Sequence, residues 1–277
     1  MCGLIKLRKG RFMMSKIVGR GTGDWSVKYR PCRFEEIHGN DRIVTMLVNF
    51  IKNQTLPHTM LFTGPSGCGK TTASRVIAMA LNCQNKVGEE PCCVCESCKA
   101  ILNFNSFAVV EVDAGRTGDV ATTRRLLDDL PASSMGGELY KVVIFDEAHK
   151  LGGASGSEDA LLKFLEDTPN HVYVMLCTNQ SEKLKPVTLN RCKTIQFGRL
   201  TADLIYKLVE GVATWEGVDT RPENVKAMFR YMADESNGVP RAALSYLQMI
   251  ANEGSWTREA ASLIINSGVD VDSVEVY

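Results

Sequence analysis

The 277-residue sequence lacks several features that would assign it to whole classes of protein. No run approaches the ~18 consecutive apolar residues of a membrane-spanning helix, which argues against a membrane span. The sequence has no net charge, because 32 basic residues are matched by 32 acidic ones. A nucleic acid would therefore be bound by a local basic patch rather than by an overall positive field.

The first residues contain no acidic side chain before Asp24, although six lysines and arginines precede it. A secretory signal peptide would continue from such charges into ~7–15 apolar residues, and this segment does not. Residues 1–24 are therefore expected to form a basic, disordered tail of a protein that is not exported. The reducing compartment that this implies disfavours disulfide bonds between the ten cysteines.

Short apolar segments alternate with segments of helical periodicity in the first two thirds of the chain. The predicted strands are 59–63, 108–112, 141–145, 172–177 and 194–197. The predicted helices are 41–52, 70–82, 119–130 and 157–167. Strands that alternate with helices form parallel sheets covered on both faces, so the pattern predicts an α/β domain over residues 25–199.

Only helical periodicity remains after residue 200. The predicted helices are 201–215, 222–235, 239–252 and 257–266. The change of pattern predicts a small all-helical domain over residues 200–255, followed by a C-terminal helical segment, 256–277.

The segment GPSGCGKT (64–71) matches the phosphate-binding motif G-x-x-x-x-G-K-[ST], between a predicted strand and a predicted helix. Lys70 would neutralise the beta and gamma phosphates of ATP, and Thr71 would bind Mg²⁺. A chance glycine-rich turn is the alternative, and the strand and helix around the loop argue against it. The residues predicted to bind ATP here are Gly64, Pro65, Ser66, Gly67, Cys68, Gly69, Lys70, Thr71 and Thr72.

Two carboxylates follow the apolar segment KVVIF at 141–145, at the end of a strand where parallel sheets bind their ligands. Asp146 is predicted to bind Mg²⁺, and Glu147 is predicted to polarise the water that attacks the gamma phosphate. An exposed acidic pair without function is the alternative.

The string DEAH also occurs in helicases, which use two motor domains. The roughly 80 residues after position 198 have helical patterns and are too few for a second sheet-based domain.

Five of the ten cysteines lie between positions 83 and 98. Cys83, Cys92, Cys95 and Cys98 have the spacing C-x8-C-x2-C-x2-C, in which four thiolates can surround one ion tetrahedrally. The spacing predicts a structural Zn²⁺ site. Cys93 is either a bystander or a competitor of Cys92. A redox C-x-x-C pair is the main alternative to a metal site.

Several motifs occur along the chain in an order typical of one family. They are VKYRP (27–31), GPSGCGKT (64–71), VDAGRTGD (112–119), FDEAH (145–149), LCTNQ (176–180), LNRC (189–192) and GVPRAAL (238–244). Over roughly residues 25–250 the chain resembles the clamp-loader ATPases of the AAA+ superfamily, in particular the gamma/tau subunits of the bacterial replicative clamp loader. The cysteine spacing is also similar to the zinc module of that family.

The resemblance implies roles for further residues. Asn179, beside Thr178, would act as sensor 1 and connect the attacking water to the sheet. Arg191, in LNRC where the family usually has SRC, would be the arginine finger for the ATP of an adjacent subunit. Arg241 would act as sensor 2. A solvated surface arginine is the alternative for each arginine. Residues expected to flank the base and ribose are Tyr29, Arg30 and Pro31, with 37–40.

The resemblance also implies partners: other clamp-loader subunits in a pentamer, a sliding clamp and primer–template DNA, in the cytoplasm of a bacterial or phage-infected cell. Arg116, Thr117 and Arg124 would contact the DNA backbone, with a solvated helix face as the alternative. The family's helical collar is expected to be absent from this chain, which leaves its oligomeric state open. The alternative functions are a helicase loader or branch-migration ATPase and a structural subunit that binds nucleotide without hydrolysing it. A Holliday-junction motor would also need a winged-helix domain.

Overall fold

A computed structural model describes residues 23–117, 120–130, 140–152 and 156–267. Within these ranges the strands are β1 (Thr59–Thr63), β2 (Val109–Asp113), β3 (Lys141–Asp146), β4 (Val172–Thr178) and β5 (Lys193–Gln196). They form one parallel sheet in the order β2-β3-β4-β1-β5. The predicted α/β class with a parallel sheet is therefore confirmed. Each predicted strand is present within one residue at either end.

The helices that connect and cover the sheet also lie where the periodicity predicts them. The predicted ones begin and end within one residue of the prediction, and several short turns are additional. The helices and helical turns up to residue 191 are Trp25–Lys28, Phe34–Glu36, Asp41–Lys52, Lys70–Asn82, Glu96–Leu102, Ala114–Thr117, Val120–Asp129, Ala148–Gly152, Ser157–Glu166, Ser181–Lys183 and Pro186–Arg191.

The sheet is covered by apolar side chains on both of its faces. Residues of β4 are buried at every position, because this strand lies between β3 and β1 in the middle of the sheet. Met175 points into one apolar cluster with the helix Lys70–Asn82, and its neighbours Val174 and Leu176 point into a second cluster on the opposite face. The continuous apolar runs in the sequence thus mark strands that are buried on both faces.

The described part of the chain after residue 200 is helical, as predicted. Its helices are Ala202–Trp215, Glu223–Glu235, Pro240–Glu253 and Arg258–Asn266. They share an apolar cluster of their own, which includes Tyr29 from the N-terminal segment. Trp25 donates its backbone N–H to the side chain of Gln248 at 2.9 Å, so the N-terminal segment is attached to the C-terminal helices.

The cysteine-rich segment lies between the helix Lys70–Asn82 and β2. We call residues 83–102 the cysteine module; it contains the short helix Glu96–Leu102. Most of the predicted tail at 1–24 and the end of the predicted segment 256–277 lie outside the described residues. Among the described helices, none combines the length and apolar character that crossing a lipid bilayer requires.

Candidate nucleotide site and cysteine cluster

The glycine-rich loop between β1 and the helix Lys70–Asn82 depends on backbone conformations that favour glycine. Gly64, Gly67 and Gly69 have φ angles of +135°, +71° and +99°. A Cβ atom on Gly64 would lie 2.3 Å from the carbonyl oxygen of Phe197, which follows β5. The helix begins at Lys70, so the positive end of its dipole lies at the loop, where a phosphate group would bind.

The side chain of Lys70 is buried beneath this loop. Its Nζ atom donates hydrogen bonds to the carbonyl oxygens of Gly64 at 2.9 Å and Pro65 at 2.8 Å. Burial lowers the pKa of Lys70, although nearby groups such as Cys177 and Asp146 oppose that change. A phosphate oxygen would offer the ammonium group a charged acceptor in place of the two neutral carbonyls.

Two oxygen ligands suited to a divalent cation meet beside the loop. Thr71 Oγ1 donates to Asp146 Oδ2 at 2.9 Å, which joins the start of the helix to the carboxyl end of β3. Asp146 Oδ1 accepts the backbone N–H of Glu147 at 2.9 Å. Hydroxyl and carboxylate oxygens are the ligands that Mg²⁺ prefers, and these two are adjacent to where the phosphates would lie.

Glu147 has a strained backbone, with φ at +49° in the left-handed region. Its carbonyl oxygen accepts the N–H of Lys150 at 2.8 Å, and its carboxylate forms an ion pair with the side chain of Lys150. The turn of the chain at the end of β3 thus directs two successive acidic side chains to one place. Sequence patterns alone give no indication of this conformation.

The hydroxyl group of Thr178, at the end of β4, contacts the turn Ala148–Gly152, which follows the two acidic residues. Thr178 Oγ1 lies 3.1 Å from His149 Nδ1 and accepts the backbone N–H of Gln180 at 3.0 Å. Asn179, which lies between Thr178 and Gln180 in the chain, is exposed and lines the same cavity as Glu147. Burial lowers the pKa of His149, which favours its neutral form in this contact.

One cavity brings most of the predicted nucleotide-binding residues together. It is lined by residues 66–72, 29–31, Asp146, Glu147 and Asn179, and by Arg241 from the C-terminal helices. Gly64 and Pro65 contribute through their bonds with Lys70 instead. Further residues that line the cavity had no role assigned from the sequence: Ser26, Glu36, Leu200, Leu208 and Leu244.

The wall formed by the N-terminal segment is only partly as predicted. Ile37 and His38 line the cavity, as expected of 37–40. The side chain of Asn40 is directed elsewhere, since its Oδ1 accepts the backbone N–H of Gly198 at 2.9 Å. Tyr29 is 2% exposed and donates its hydroxyl to Glu216, and burial raises the pKa of this phenol.

Arg191 is not among the described residues that line this cavity. It is the last residue of the helix Pro186–Arg191, and its Nη1 atom donates to the carbonyl oxygen of Leu162 at 3.0 Å. Its Nη2 atom lies 2.5 Å from Glu166 Oε1. The guanidinium group is therefore held at the end of the helix Ser157–Glu166. Neither Leu162 nor Glu166 was identified as its partner from the sequence.

Two of the residues proposed from the sequence to contact DNA, Arg116 and Arg124, are not among the described residues that line the cavity. Arg116 and Arg124 are exposed. Thr117 ends the turn Ala114–Thr117, and its side chain lies outside the described residues. The roles of these residues remain predictions.

The four cysteines with metal-ligand spacing converge in space. The Sγ atoms of Cys83, Cys92, Cys95 and Cys98 all lie within 4.8 Å of one another, and those of Cys83 and Cys95 are 4.0 Å apart. Sulfur atoms bound to one tetrahedral Zn²⁺ at ~2.3 Å are about 3.8 Å apart, so the cluster fits this ion. Four sulfur ligands complete the tetrahedron around such an ion, so no ligand position would remain open for catalysis.

Backbone N–H groups further stabilise the thiolates of this cluster. Cys92 N donates to Cys83 Sγ at 3.3 Å, and Cys95 N donates to Cys92 Sγ at 3.2 Å. Burial opposes ionisation of Cys95, but N–H donation from Cys98 and other groups lowers its pKa to about 7. Burial raises the pKa of Cys83 and of Cys98, so at these two thiols the N–H donors offset the cost of ionisation only in part.

The remaining described cysteines do not share this arrangement. Cys93 has a φ of +60° and directs its thiol away from the cluster, to the carbonyl oxygen of Cys32 at 3.1 Å. This contact favours the interpretation of Cys93 as a bystander. Burial raises the pKa of Cys68, and it raises the pKa of Cys177 and of Cys192 to about 12, which favours the neutral thiol over the nucleophilic thiolate.

The parallel sheet, the phosphate-binding loop and the acidic pair at the end of β3 define a P-loop nucleotide-binding protein of the AAA+ type. Residues 39–201 match the family model for the DNA polymerase III, delta subunit. The chain therefore belongs to the DNA polymerase III clamp-loader family of AAA+ proteins, as the motif order indicated.

Curated relatives cover most of the chain. It is 32% identical over 242 residues to DNA polymerase III subunit tau of Bacillus subtilis, which is 87% of this chain and 42% of the relative. It is 36% identical over 228 residues to DNA polymerase III subunit gamma/tau of Mycoplasma pneumoniae, 81% of this chain and 32% of the relative. The chain thus spans less than half the length of these relatives.

Solved structures with the same fold include the Thermotoga maritima RuvB Holliday junction branch migration motor. The TM-score is 0.61 at 16% identity, over 89% of this chain and 75% of RuvB. At this level of identity the likeness shows the fold alone.

Proposed function

We propose that this chain is an ATP-hydrolysing subunit of a sliding-clamp loader, which couples ATP binding and hydrolysis to opening of the clamp and its release on primed DNA. One observation carries the proposal beyond family membership. Lys70, Thr71, Asp146, Glu147 and Arg241, which come from three separate motifs, line a single cavity. This set provides what binding and hydrolysis of a nucleoside triphosphate require.

Each residue of the cavity has a chemical task in this proposal. The N–H groups at the start of the helix Lys70–Asn82 and the Lys70 ammonium group would bind the phosphates. Thr71 and Asp146 would hold Mg²⁺, which neutralises the developing charge on the phosphate oxygens when bound. Glu147 would accept a proton from the attacking water, and Asn179 would orient that water.

The C-terminal helices would act as a lid that reports the state of the nucleotide. Arg241 at the start of the helix Pro240–Glu253 would contact the gamma phosphate as sensor 2. Leu208 and Leu244 line the cavity from the same group of helices. Closure of these helices on a nucleotide would therefore exclude water as well as place a positive charge.

Arg191 would act on the ATP of a neighbouring subunit. In support of this role, it is held on the surface by Glu166, with its side chain 31% exposed. An arginine stays ionised across any interface and can stabilise transition-state charge there. The expected partners are other clamp-loader subunits in a pentamer, a sliding clamp and primer–template DNA, with Arg116, Thr117 and Arg124 as candidate contacts to the DNA backbone.

The cysteine module would bind one structural Zn²⁺ through Cys83, Cys92, Cys95 and Cys98. The distances between the four sulfur atoms and the N–H donors around them support this assignment. A closed four-thiolate site contributes to folding rather than to catalysis.

The test is phosphate release by the purified chain with Mg-ATP, alone and with a bacterial sliding clamp, primed single-stranded DNA, or both. We expect the highest rate with both present. Stimulation by a Holliday junction or by a replicative helicase instead, with none by clamp and primed DNA, would support a different AAA+ motor. Nucleotide binding without any phosphate release, under all these conditions, would indicate a structural subunit.

A further inference from the structure

Two short stretches of the N-terminal segment, residues 29–31 and 36–38, line the cavity together with the phosphate loop. The loop would bind the phosphates, and the rest of a nucleotide would lie against other parts of the cavity. These stretches would therefore face the base and ribose of a nucleotide. The residues between them turn away from the cavity, and Cys32 and Phe34 are both fully buried. Contacts that fix residues 32–35 therefore also fix the two stretches on either side of them that line the cavity.

The turn Phe34–Glu36 satisfies only part of its own hydrogen bonding, since Glu36 N donates to the carbonyl oxygen of Arg33 at 3.3 Å and Ile37 N to that of Phe34 at 3.0 Å. The first N–H groups of any helical turn lack partners within the turn and need an external acceptor. Arg33 precedes the turn, and its side chain has hydrogen-bond donors but no acceptor. It therefore does not cap the turn. Glu36 accepts the N–H of Cys32 at 2.8 Å, which leaves the N–H groups of Phe34 and Glu35 to be satisfied from elsewhere.

The cysteine module supplies the missing acceptor. Glu90 Oε2 accepts the N–H of Phe34 at 2.8 Å, and Glu90 Oε1 accepts the N–H of Glu35 at 3.2 Å. One carboxylate thus caps the turn from a position 56 residues away in the chain. Hydrogen bonds from N–H groups to a carboxylate are stronger than those between neutral groups, and these two oppose the rise that burial causes in the pKa of Glu90.

Two further contacts connect the same parts of the molecule. Cys93 Sγ donates to the carbonyl oxygen of Cys32 at 3.1 Å. Arg33 Nη2 donates to the carbonyl oxygen of Cys92 at 3.4 Å. The buried side chains of Cys32 and Phe34 belong to the same apolar cluster as Cys92, Cys93 and Cys98. The contact is therefore both polar and apolar.

Glu90 itself is fixed by the module that carries it. Its backbone exchanges hydrogen bonds with Val87 at 3.1 and 3.2 Å. It precedes Cys92, one of the four clustered thiols, by two residues. A bond that fixes Cys92 would therefore also restrict the backbone next to the carboxylate that caps the turn.

We propose that Glu90 is a positioning residue for nucleotide binding: it holds the turn Phe34–Glu36, and with it the base-side wall of the cavity, through the cysteine module. The inference rests on the proposed nucleotide-binding function. It gives the module a second task besides its own stability, since the order of the module is transmitted to the wall where base and ribose bind.

The experiment compares full-length Glu90→Ala and Glu90→Gln proteins with the parent protein. The dissociation constant of a fluorescent N-methylanthraniloyl ATP with Mg²⁺ is measured, and displacement by inorganic tripolyphosphate is measured beside it. Glu90→Ala should weaken nucleotide binding roughly five- to twentyfold, because two charge-assisted bonds are lost. Tripolyphosphate, which has no base or ribose, should be bound as in the parent protein. Glu90→Gln, which keeps one acceptor oxygen, should lie between the two.

Glu89→Ala is the matched control, because the N–H groups of Phe34 and Glu35 donate to Glu90 and not to this neighbouring glutamate. It should bind nucleotide as the parent protein does. Amide hydrogen exchange provides a second measurement, independent of any nucleotide: exchange at Phe34, Glu35 and Ile37 should accelerate in Glu90→Ala and remain unchanged in Glu89→Ala.

Zinc content of the same samples separates positioning from collapse of the module. If Glu90→Ala loses zinc, the nucleotide affinity and amide exchange of zinc-loaded Glu90→Gln protein decide whether Glu90 positions the wall. Parent-like nucleotide affinity and parent-like exchange at Phe34 and Glu35 in a zinc-loaded variant would overturn the proposal. A parent protein that binds no nucleotide would instead contradict the proposed function, while the exchange measurement would still decide whether Glu90 holds the turn.

Discussion

Gly67 and Arg241 approach so closely that a Cβ atom on Gly67 would lie 3.0 Å from the Cβ of Arg241 and 2.7 Å from Cγ1 of Val239. The phosphate loop and the start of the helix Pro240–Glu253 are therefore in direct contact. This contact explains how a helix that follows the sheet by more than 40 residues in sequence can contribute an arginine to the phosphate site. It also makes Gly67 a sensitive point at which to test the arrangement.

Gly67→Ala should weaken nucleotide binding at least about tenfold and lower the free energy of unfolding by about 1–2 kcal/mol. The added methyl group would displace Val239 and Arg241, and alanine is strained at a φ of +71°. Gly217→Ala is the control, since Gly217 has a φ of +85° but no atom within 4 Å of the position that a Cβ would take. It shares the backbone strain without the steric contact. Chemical denaturation and nucleotide titration of both variants separate the two effects, and a Gly67→Ala protein with normal affinity would contradict the assigned contact.

Glu147→Gln should leave Mg-ATP binding intact and reduce turnover by on the order of 10²–10⁴. The amide cannot accept the proton of the attacking water, whereas the Mg²⁺ ligand Asp146 and the backbone bond from residue 147 to it are retained. Lys70→Ala should weaken binding itself, because it removes the buried cation under the loop. Equilibrium binding and single-turnover phosphate release distinguish the two outcomes. Parent-like hydrolysis by Glu147→Gln would exclude Glu147 as the base.

Metal analysis of the purified chain should find one zinc ion per molecule. Cys95→Ser should lose it and unfold more easily, because a structural site contributes its binding free energy to folding. Cys93→Ser should retain the zinc, since the Cys93 thiol contacts the carbonyl oxygen of Cys32 and a serine hydroxyl can make the same bond. Free alkylation of all four clustered cysteines in the native protein would rule out the metal site.

The sequence predicted the elements of this fold well because local apolar periodicity determines them. Strand ends in a parallel sheet also gather ligands, so the positions of Lys70 and Asp146 followed from motif and strand together. Contacts between distant segments could not be predicted in this way. The capping of Phe34 by Glu90 and the ion pair of Arg191 with Glu166 depend on how helices and turns pack in the folded protein. Neither contact follows from a periodicity or a fixed residue spacing in the sequence.

Arg191 should act in trans, on the ATP of an adjacent subunit. Its guanidinium group is held by Glu166 and by the carbonyl oxygen of Leu162, and it is not among the described residues of its own cavity. The specific ATPase activity of the isolated chain should therefore rise with protein concentration as subunits associate. Arg191→Ala should remove this rise, with a loss of turnover on the order of 10³ or more, and should not change the affinity of the monomer for ATP.

Mixing two inactive variants gives the sharpest test of this arrangement. Arg191→Ala and Glu147→Gln proteins should each be inactive alone and should regain activity when combined. In a mixed interface an intact Glu147 site of one subunit can receive Arg191 from its Glu147→Gln neighbour, so one complete site forms per such pair. Arg191→Ala combined with Lys70→Ala should recover activity for the same reason, whereas Glu147→Gln combined with Lys70→Ala should not, because both then lack a complete nucleotide site. Co-assembly is measured in the same samples by analytical ultracentrifugation. If the Arg191→Ala and Glu147→Gln proteins associate and remain inactive, Arg191 does not complete the site of a neighbour.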